Sequence, residues 1–328
     1  MSLILLGVDP VSRDKHHIPL GSPFVVPLTN CGPARTVHVA RDRAVRSFWS
    51  IAARHQNLVA AIRTEKTLRH HDQPSVAVIT PTGLKPSRLP FLEELYESLR
   101  AQEGVSLEWI IAPNGPKADP DLIPRGITKD RRVTVVARPG PGPAPARNTA
   151  LNYVSAPRVA FVDDDDRIPL FSLAVRNEHA MATGLRWVAG RSADWDPVAG
   201  SLTTWMCPTP VGRHAPGDVW THWPDPEASK PPLGHCMLLT DTRLAQAVGH
   251  GGLHKGEDYA FLMGICARAA GELLSDVVYH RRVHEGQWTA EDTYRDQVEF
   301  DARRHAWLKG WAERELQAEA PLLGSAGR

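Results

Sequence analysis

Four consecutive carboxylates end an apolar segment of this chain. Residues 158–162 predict a buried strand, and Asp163, Asp164, Asp165 and Asp166 follow it directly. Adjacent carboxylates repel one another and are costly to bury unless positive charge lies among them. Mg²⁺ and Mn²⁺ prefer oxygen ligands, and ligands bind at the carboxyl ends of strands in open α/β sheets. The run therefore predicts a metal-assisted ligand site, and a solvated acidic turn is the alternative.

The size and composition of the chain narrow its class. Its 328 residues suit one large α/β domain with appendages, or two domains. A hydrophobic content of 42% and a charged content of 23% are typical of globular proteins in solution. A net charge of +1 gives no field that would attract nucleic acid. The four cysteines form no C-x-x-C pair, and we find neither a signal peptide nor a transmembrane segment, so we expect a cytoplasmic protein.

The order of elements predicts three segments: an N-terminal extension over 1–72, a central α/β domain over 73–288 and a C-terminal helical tail over 289–328. Strands alternate with helices in the central segment, which predicts a mostly parallel sheet with helices on both faces. Right-handed crossovers then place the strand ends on one rim. Residues 191–234 are rich in Pro, Gly and Trp and are predicted to be irregular.

Short motifs at this rim resemble those of a known family. The motifs occur in this order: VAVITPT, LEWIIAPNG, PAPARNTALN, FVDDDD, GHGGLHKGEDYAFLMGICARA and YHRRVHEGQWT. Each alone is typical of ordinary turns and helix ends. Together, over about residues 75–290, they resemble the inverting GT-A glycosyltransferases of family 2. The resemblance implies the GT-A fold, a Rossmann-like α/β fold of transferases that use nucleotide-diphospho-sugars.

The resemblance also implies roles for individual residues. The nucleotide would lie against Pro81, Thr82, Asn114, Arg147, Asp163 and Asp164, with Asp163 on the ribose side. Asp165 would bind Mn²⁺ or Mg²⁺, and His284 would be a late metal or diphosphate ligand, with His280 as the competing candidate. Asp166 would support a neighbouring ligand or cap the next helix. Glu257 and Asp258 would form the catalytic pair, with Asp258 as the base.

The implied donor is a sugar nucleotide, with UDP as the expected carrier. Family members commonly have a carboxylate where this chain has Asn114, and an Asn amide both accepts and donates hydrogen bonds, so the base stays open. The acceptor would be a small molecule, a glycan or a peptide. Its pocket is expected in the irregular segment, at Trp195, Trp220, His222 and Trp223, with core packing as the alternative role of these rings. We expect no nucleic-acid partner, and a homodimer is an open alternative.

Two other functions compete with sugar transfer. A nucleotidyltransferase that makes sugar nucleotides would usually have a Gly-rich phosphate loop after the first strand, where this chain has only Gly83. A non-catalytic carbohydrate-binding protein could keep the same fold. The presence of Asp163, Asp165 and Asp258 together argues against that second alternative.

Overall fold

The computed structural model describes residues 73–136, 142–223, 231–251, 257–287 and 310. The predicted N-terminal extension (1–72) lies outside the described residues, as does the predicted C-terminal tail (289–328) apart from residue 310. Both therefore stay predictions.

A mixed sheet forms the centre of the described structure. Nine strands take part, in the order β3-β2-β1-β4-β8-β5-β9-β7, with β6 paired to β5. Their bounds are β1 Val76–Thr82, β2 Leu107–Pro113, β3 Val133–Val135, β4 Arg158–Phe161, β5 Trp187–Asp196, β6 Ser201–Trp205, β7 Gly212–His214, β8 Leu238–Asp241 and β9 Gly271–Arg282. The first four strands are parallel, as predicted, whereas β8 is antiparallel to both of its neighbours.

Helices cover both faces of this sheet. Their bounds are α1 Leu89–Arg100, α2 Arg125–Thr128, α3 Pro143–Leu151, α4 Ser172–Thr183, α5 Asp218–Thr221, α6 Thr242–Val248 and α7 Glu257–Arg268. The two faces follow from the alternation along β1, because Ala77 and Ile79 pack with α3 and α7, while Val76 and Val78 pack with α1 and α4. The α/β architecture expected from the sequence is confirmed. No helix among the described residues is long and apolar enough to cross a membrane.

The strand directions bring β9 to the rim where β4 ends. Strand β8 is antiparallel to β4, and β5 is antiparallel to β8, so β5 runs in the direction of β4. Strand β9 is parallel to β5. Residues that follow β9 therefore lie on the same rim as the carboxylates that follow β4, although more than a hundred positions separate them in sequence.

Strand β5 corrects one prediction. The sequence predicts irregular structure from residue 191, but β5 continues to Asp196 and then forms a hairpin with β6. Its apolar pattern is interrupted by Gly190, Arg191 and Ser192, where the pairing with β9 shifts register. The strand is stabilised by pairing with segments distant in sequence, so a local sequence pattern does not predict it.

A glycine at the start of β9 allows β5 and β9 to pack closely. The indole ring of Trp187 lies over Gly271, and a Cβ atom at Gly271 would come within 1.9 Å of that ring. The indole N–H of Trp187 donates to the carbonyl oxygen of Ala269 at 2.8 Å. The ring is completely buried, so this contact fixes the first residues of β9 against β5.

Candidate active site

Two central carboxylates of the run share an arginine. The Arg88 guanidinium Nη1 lies 2.7 Å from Asp164 Oδ1 and 3.0 Å from Asp165 Oδ2. Asp164 also accepts a hydrogen bond from the Thr82 hydroxyl at 2.6 Å. Burial raises the pKa of Asp164, and the positive charge of Arg88 opposes that rise. Arg88 was not among the predicted site residues, because its partners are 76 or more positions away.

The last carboxylate of the run fastens the ends of two strands. Asp166 Oδ2 accepts from the Tyr279 hydroxyl at 2.6 Å, and Asp166 Oδ1 accepts from the backbone N–H of Arg282 at 2.7 Å. The Arg282 guanidinium Nε donates to the backbone carbonyl of Asp165 at 2.7 Å. Burial and the neighbouring carboxylates raise the pKa of Asp166 well above its ordinary value. Asp166 thus joins the end of β4 to β9, and the following helix α4 has Phe171 at its N-cap instead.

The first carboxylate of the run connects to the predicted catalytic pair. Arg147, on α3, donates from Nη2 to Asp163 Oδ1 and from Nη1 to Glu257 Oε1, both at 2.9 Å. Arg147 and Glu257 are each 5% exposed, whereas the side chain of Asp163 is 38% exposed. Burial alone would lower the pKa of Arg147, but Asp163 and Glu257 raise it. Burial, and then the neighbouring Asp258, raise the pKa of Glu257 to about 7.

Within the predicted catalytic pair, the two side chains have different environments. Glu257 is buried against Arg147, while Asp258 is half-buried and its Oδ1 accepts from the backbone N–H of Tyr259 at 2.9 Å. A base must reach the proton of an incoming acceptor, which a buried carboxylate held by an arginine does poorly. Of the predicted pair, Asp258 is therefore the more accessible carboxylate.

The protein's own cations lie among these carboxylates. The guanidinium groups of Arg88 and Arg147 form ion pairs with carboxylates of the run, whereas that of Arg282 donates to the backbone carbonyl of Asp165 and pairs with Glu94. Charge neutralisation was the reason to expect a metal from the sequence, and the arginines already meet much of that need. The case for a metal therefore depends on whether a set of ligand atoms is present.

The two predicted metal ligands, Asp165 and His284, lie side by side at the rim. His284 Nε2 lies 3.1 Å from Asp165 Oδ2. Two neighbouring ligands around an octahedral Mg²⁺ are about 3.0 Å apart, since each lies about 2.1 Å from the ion. No group of three or more His, Cys, Asp or Glu residues suited to a metal occurs among the described residues. Mg²⁺ commonly takes one or two protein ligands together with substrate phosphates and water, so Asp165 and His284 fit such an ion.

The competing histidine has different neighbours. His280 lines a cavity of about 560 Å³ beside α1, together with Glu93, Glu94 and Arg167. Burial, and then Arg167, lower the pKa of His280 to about 4. None of the predicted nucleotide-binding residues lines this cavity. The structure therefore pairs His284, rather than His280, with Asp165.

The residues predicted to hold the nucleotide lie at the ends of β1 and β2. Pro81 and Thr82 are buried at the end of β1, and the Thr82 hydroxyl is directed to Asp164. The backbone N–H of Asn114 donates to the carbonyl oxygen of Thr82 at 2.7 Å. Asn114 is only half-buried, so its side chain is the more accessible of the three.

The predicted acceptor residues separate into two groups. Trp195 lies at the end of β5, where the Arg167 and Arg282 guanidinium carbons are 3.4 Å and 4.2 Å from its ring centroid. Trp223 is 4% exposed and packs 5.7 Å from the ring of Tyr259, which follows Asp258.

The remaining two acceptor candidates are half-buried. Trp220 stacks on Trp223, and His222 contacts His214 edge to face. The structure thus packs the Trp220–Trp223 pair against Tyr259, which follows Asp258, and places Trp195 in a cation–π stack.

A family comparison matches part of the region that carries this site. Residues 77–188 match the sequence profile described as Glycosyl transferase family 2. The matched residues include most of β1, the carboxylate run and Arg147, and they end before Glu257, Asp258 and His284. The resemblance to family 2 glycosyltransferases predicted from the motifs is confirmed. No curated protein sequence matches the chain.

Solved structures support the fold of the described region. S. aureus TarS 1-349 in complex with UDP-GlcNAc is similar with a TM-score of 0.52 and 18% identity, over 69% of this chain and 66% of that chain. S. aureus TarS 1-349 in complex with UDP is similar with a TM-score of 0.50 and 19% identity, over 64% and 61%. The chain thus spans less than two thirds of the length of these TarS structures. At this identity the likeness establishes the fold.

Proposed function

We propose that the chain is a metal-dependent inverting glycosyltransferase, with a UDP-linked sugar as donor and Asp258 as general base. One observation carries the proposal: Arg147 contacts both Asp163, on the predicted donor side, and Glu257, which adjoins Asp258. The residues proposed to bind the nucleotide and to remove the proton would thus be connected through the buried Arg147 guanidinium. The TarS structures with UDP and UDP-GlcNAc support the choice of donor carrier.

The chain's own residues supply binding, orientation and proton transfer. Asp163 and the half-buried Asn114 would hold the nucleoside, and Thr82 would fix Asp164 beside it. Asp258 would accept the proton of the acceptor nucleophile as that atom attacks the anomeric carbon. Inversion requires this attack from the face opposite the leaving diphosphate. Arg147 would keep Glu257 in place, so that Asp258 stays directed at the acceptor.

Asp165 and His284 would hold the divalent cation. When bound, such an ion neutralises the charge that develops on the leaving diphosphate. The acceptor would enter beside Trp220, whose half-buried ring offers an apolar face for a sugar or another ring. Its chemical class, small molecule, glycan or peptide, stays open. The family match favours sugar transfer over nucleotidyl transfer.

Asp258→Asn tests the catalytic assignment. The amide keeps the shape of the side chain and loses its basicity, so transfer should fall about 10²- to 10⁴-fold while UDP still binds. A panel of sugar nucleotides with Mn²⁺ would identify the donor through hydrolysis, and nucleotide affinity would be measured by calorimetry. The exposed Asp276→Asn is the matched control and should retain activity. Transfer at the normal rate by Asp258→Asn would exclude Asp258 as base, and no turnover of any donor by the unaltered chain would favour a binding protein.

A further inference from the structure

Arg88 connects three separate parts of the chain at the predicted metal site. It ends a 3₁₀ turn, Pro86–Arg88, in the connection between β1 and α1. Its Nη1 contacts Asp164 and Asp165 after β4, and its Nη2 donates to the carbonyl oxygen of Gly286 at 3.2 Å. Gly286 belongs to the turn after β9 that also carries His284. Arg88 thus holds that turn over the carboxylates.

One carboxylate oxygen faces two different groups. Asp165 Oδ2 is 3.0 Å from Arg88 Nη1 and 3.1 Å from His284 Nε2. A divalent cation between Asp165 and His284 would lie close to the guanidinium. Two cations at such a distance repel strongly where solvent is partly excluded, and the Arg88 side chain is only 21% exposed.

We propose that Arg88 is a resident counter-ion that competes with the divalent cation for Asp165 and makes metal binding depend on the donor. The inference rests on the proposed metal site at Asp165 and His284. In the donor-free protein, Arg88 occupies Asp165 and keeps the metal affinity low. When a nucleoside diphosphate binds, its phosphate oxygens give the guanidinium another partner, and Asp165 becomes available to the metal. Arg88 is thus a positioning residue for donor and metal together.

Mn²⁺ affinity in the absence of nucleotide is the direct test. Removing the charge in Arg88→Gln should raise that affinity at least tenfold. Arg88→Lys keeps the charge but cannot contact both carboxylates and Gly286 together. The Mn²⁺ affinity of Arg88→Lys should therefore lie between those of the unaltered chain and of Arg88→Gln. Arg100→Gln, an exposed position on α1, is the matched control and should bind Mn²⁺ as the unaltered chain does. The measurement is calorimetry, or the electron paramagnetic resonance signal of free Mn²⁺, on the full chain.

A second measurement separates this role from a purely structural one. Adding UDP should increase Mn²⁺ affinity strongly in the unaltered chain and much less in Arg88→Gln. If Arg88 had only a structural role, Arg88→Gln would lower the melting temperature, but UDP would increase its Mn²⁺ affinity by the same factor as in the unaltered chain. If Arg88→Gln does not fold, Arg88→Lys decides, and an affinity no higher than that of the unaltered chain overturns the proposal.

Asp165→Asn distinguishes failure of this inference from failure of the metal site. Loss of Mn²⁺ binding in Asp165→Asn, together with unchanged affinity in Arg88→Gln, would keep the metal site and overturn the role of Arg88. Mn²⁺ binding that survives Asp165→Asn would overturn both proposals. Loss in Asp165→Asn together with a gain in Arg88→Gln would support both.

Discussion

At the scale of residues, the site is a run of acids that each have a different set of partners. Asp163 is held by Arg147, Asp164 by Thr82 and Arg88, Asp165 by Arg88 and His284, and Asp166 by Tyr279 and β9. Because each acid is fixed differently, four adjacent residues of one type acquire four environments. The chemistry proposed for them follows from those partners rather than from the acids alone.

Glu257→Gln should change how stability depends on pH. The pKa of Glu257 is raised to about 7 in the folded protein, above its unfolded value near 4.5. Between these values the folded chain retains a proton that the unfolded chain has lost. The stability of the unaltered chain relative to the Gln variant should therefore fall as pH rises from about 4.5 to 7, by at most about 1.4 kcal/mol per pH unit.

Urea unfolding at pH 5, 6, 7 and 8 would measure this dependence. The exposed Glu97→Gln on α1 provides the matched control. Parallel stability curves for the unaltered chain and Glu257→Gln would show that burial does not hold the proton on Glu257.

At the scale of elements, β9 organises the later half of the site. Its pairing with β5 brings Tyr279, Arg282 and the His284 turn to the carboxylates. Arg282 is 2% exposed, contacts Glu94 through Nη2 at 2.5 Å, and lies between the rings of Phe91 and Trp195. Changes in these rings are therefore expected to affect the carboxylates through Arg282.

Trp195→Ala separates a packing role from an acceptor role. Loss of the cation–π contacts with Arg167 and Arg282 should destabilise the fold by about 2 kcal/mol and weaken donor binding as well. Trp220→Ala should instead raise the acceptor KM, with little effect on donor hydrolysis, because its half-buried ring stacks on Trp223, which packs against Tyr259 beside the proposed base. Chemical unfolding and steady-state kinetics would measure the two effects. If Trp195→Ala raised only the acceptor KM, without loss of stability or donor binding, Trp195 would be assigned to the acceptor pocket.

Sequence patterns predicted most strands and helices of the described fold and failed mainly at the end of β5 and its hairpin with β6. Strands β1, β2 and β4 are short apolar runs bounded by turns, so local pattern identifies them. Strand β5 contains Gly190 and Arg191 and depends on β9, which lies far along the chain. The site shows the same dependence on contacts distant in sequence. Asp163 and Asp165 belong to a motif that can be recognised in the sequence, whereas nothing in the sequence around Arg88 indicates its contact with Asp164.

At the scale of the whole molecule, the described site lies entirely between β1 and the turn after β9. Every contact described at the carboxylates comes from residues 82–286. The first 72 residues have no carboxylate cluster or Gly-rich loop in their sequence. We therefore expect them to serve packing or assembly rather than chemistry.

Deleting residues 1–72 should affect stability or assembly more than donor hydrolysis. Calorimetric melting, light scattering and UDP binding, each compared with the full chain, would measure these properties. A folded truncation that no longer binds nucleotide would contradict the expectation and give the extension a part in donor recognition.

The buried Arg147 bridge limits how the proposed transferase could change its substrates. One guanidinium serves an acid on each side, so replacing Asp163 or Glu257 alone leaves a buried positive charge with half of its partners. If Asp163 and Glu257 act as proposed, donor and acceptor preferences are therefore coupled through Arg147. Single substitutions made one at a time would each leave Arg147 incompletely paired and should therefore lose activity. A directed-evolution library that varies positions 147, 163 and 257 together should reach new specificities that such stepwise changes would not.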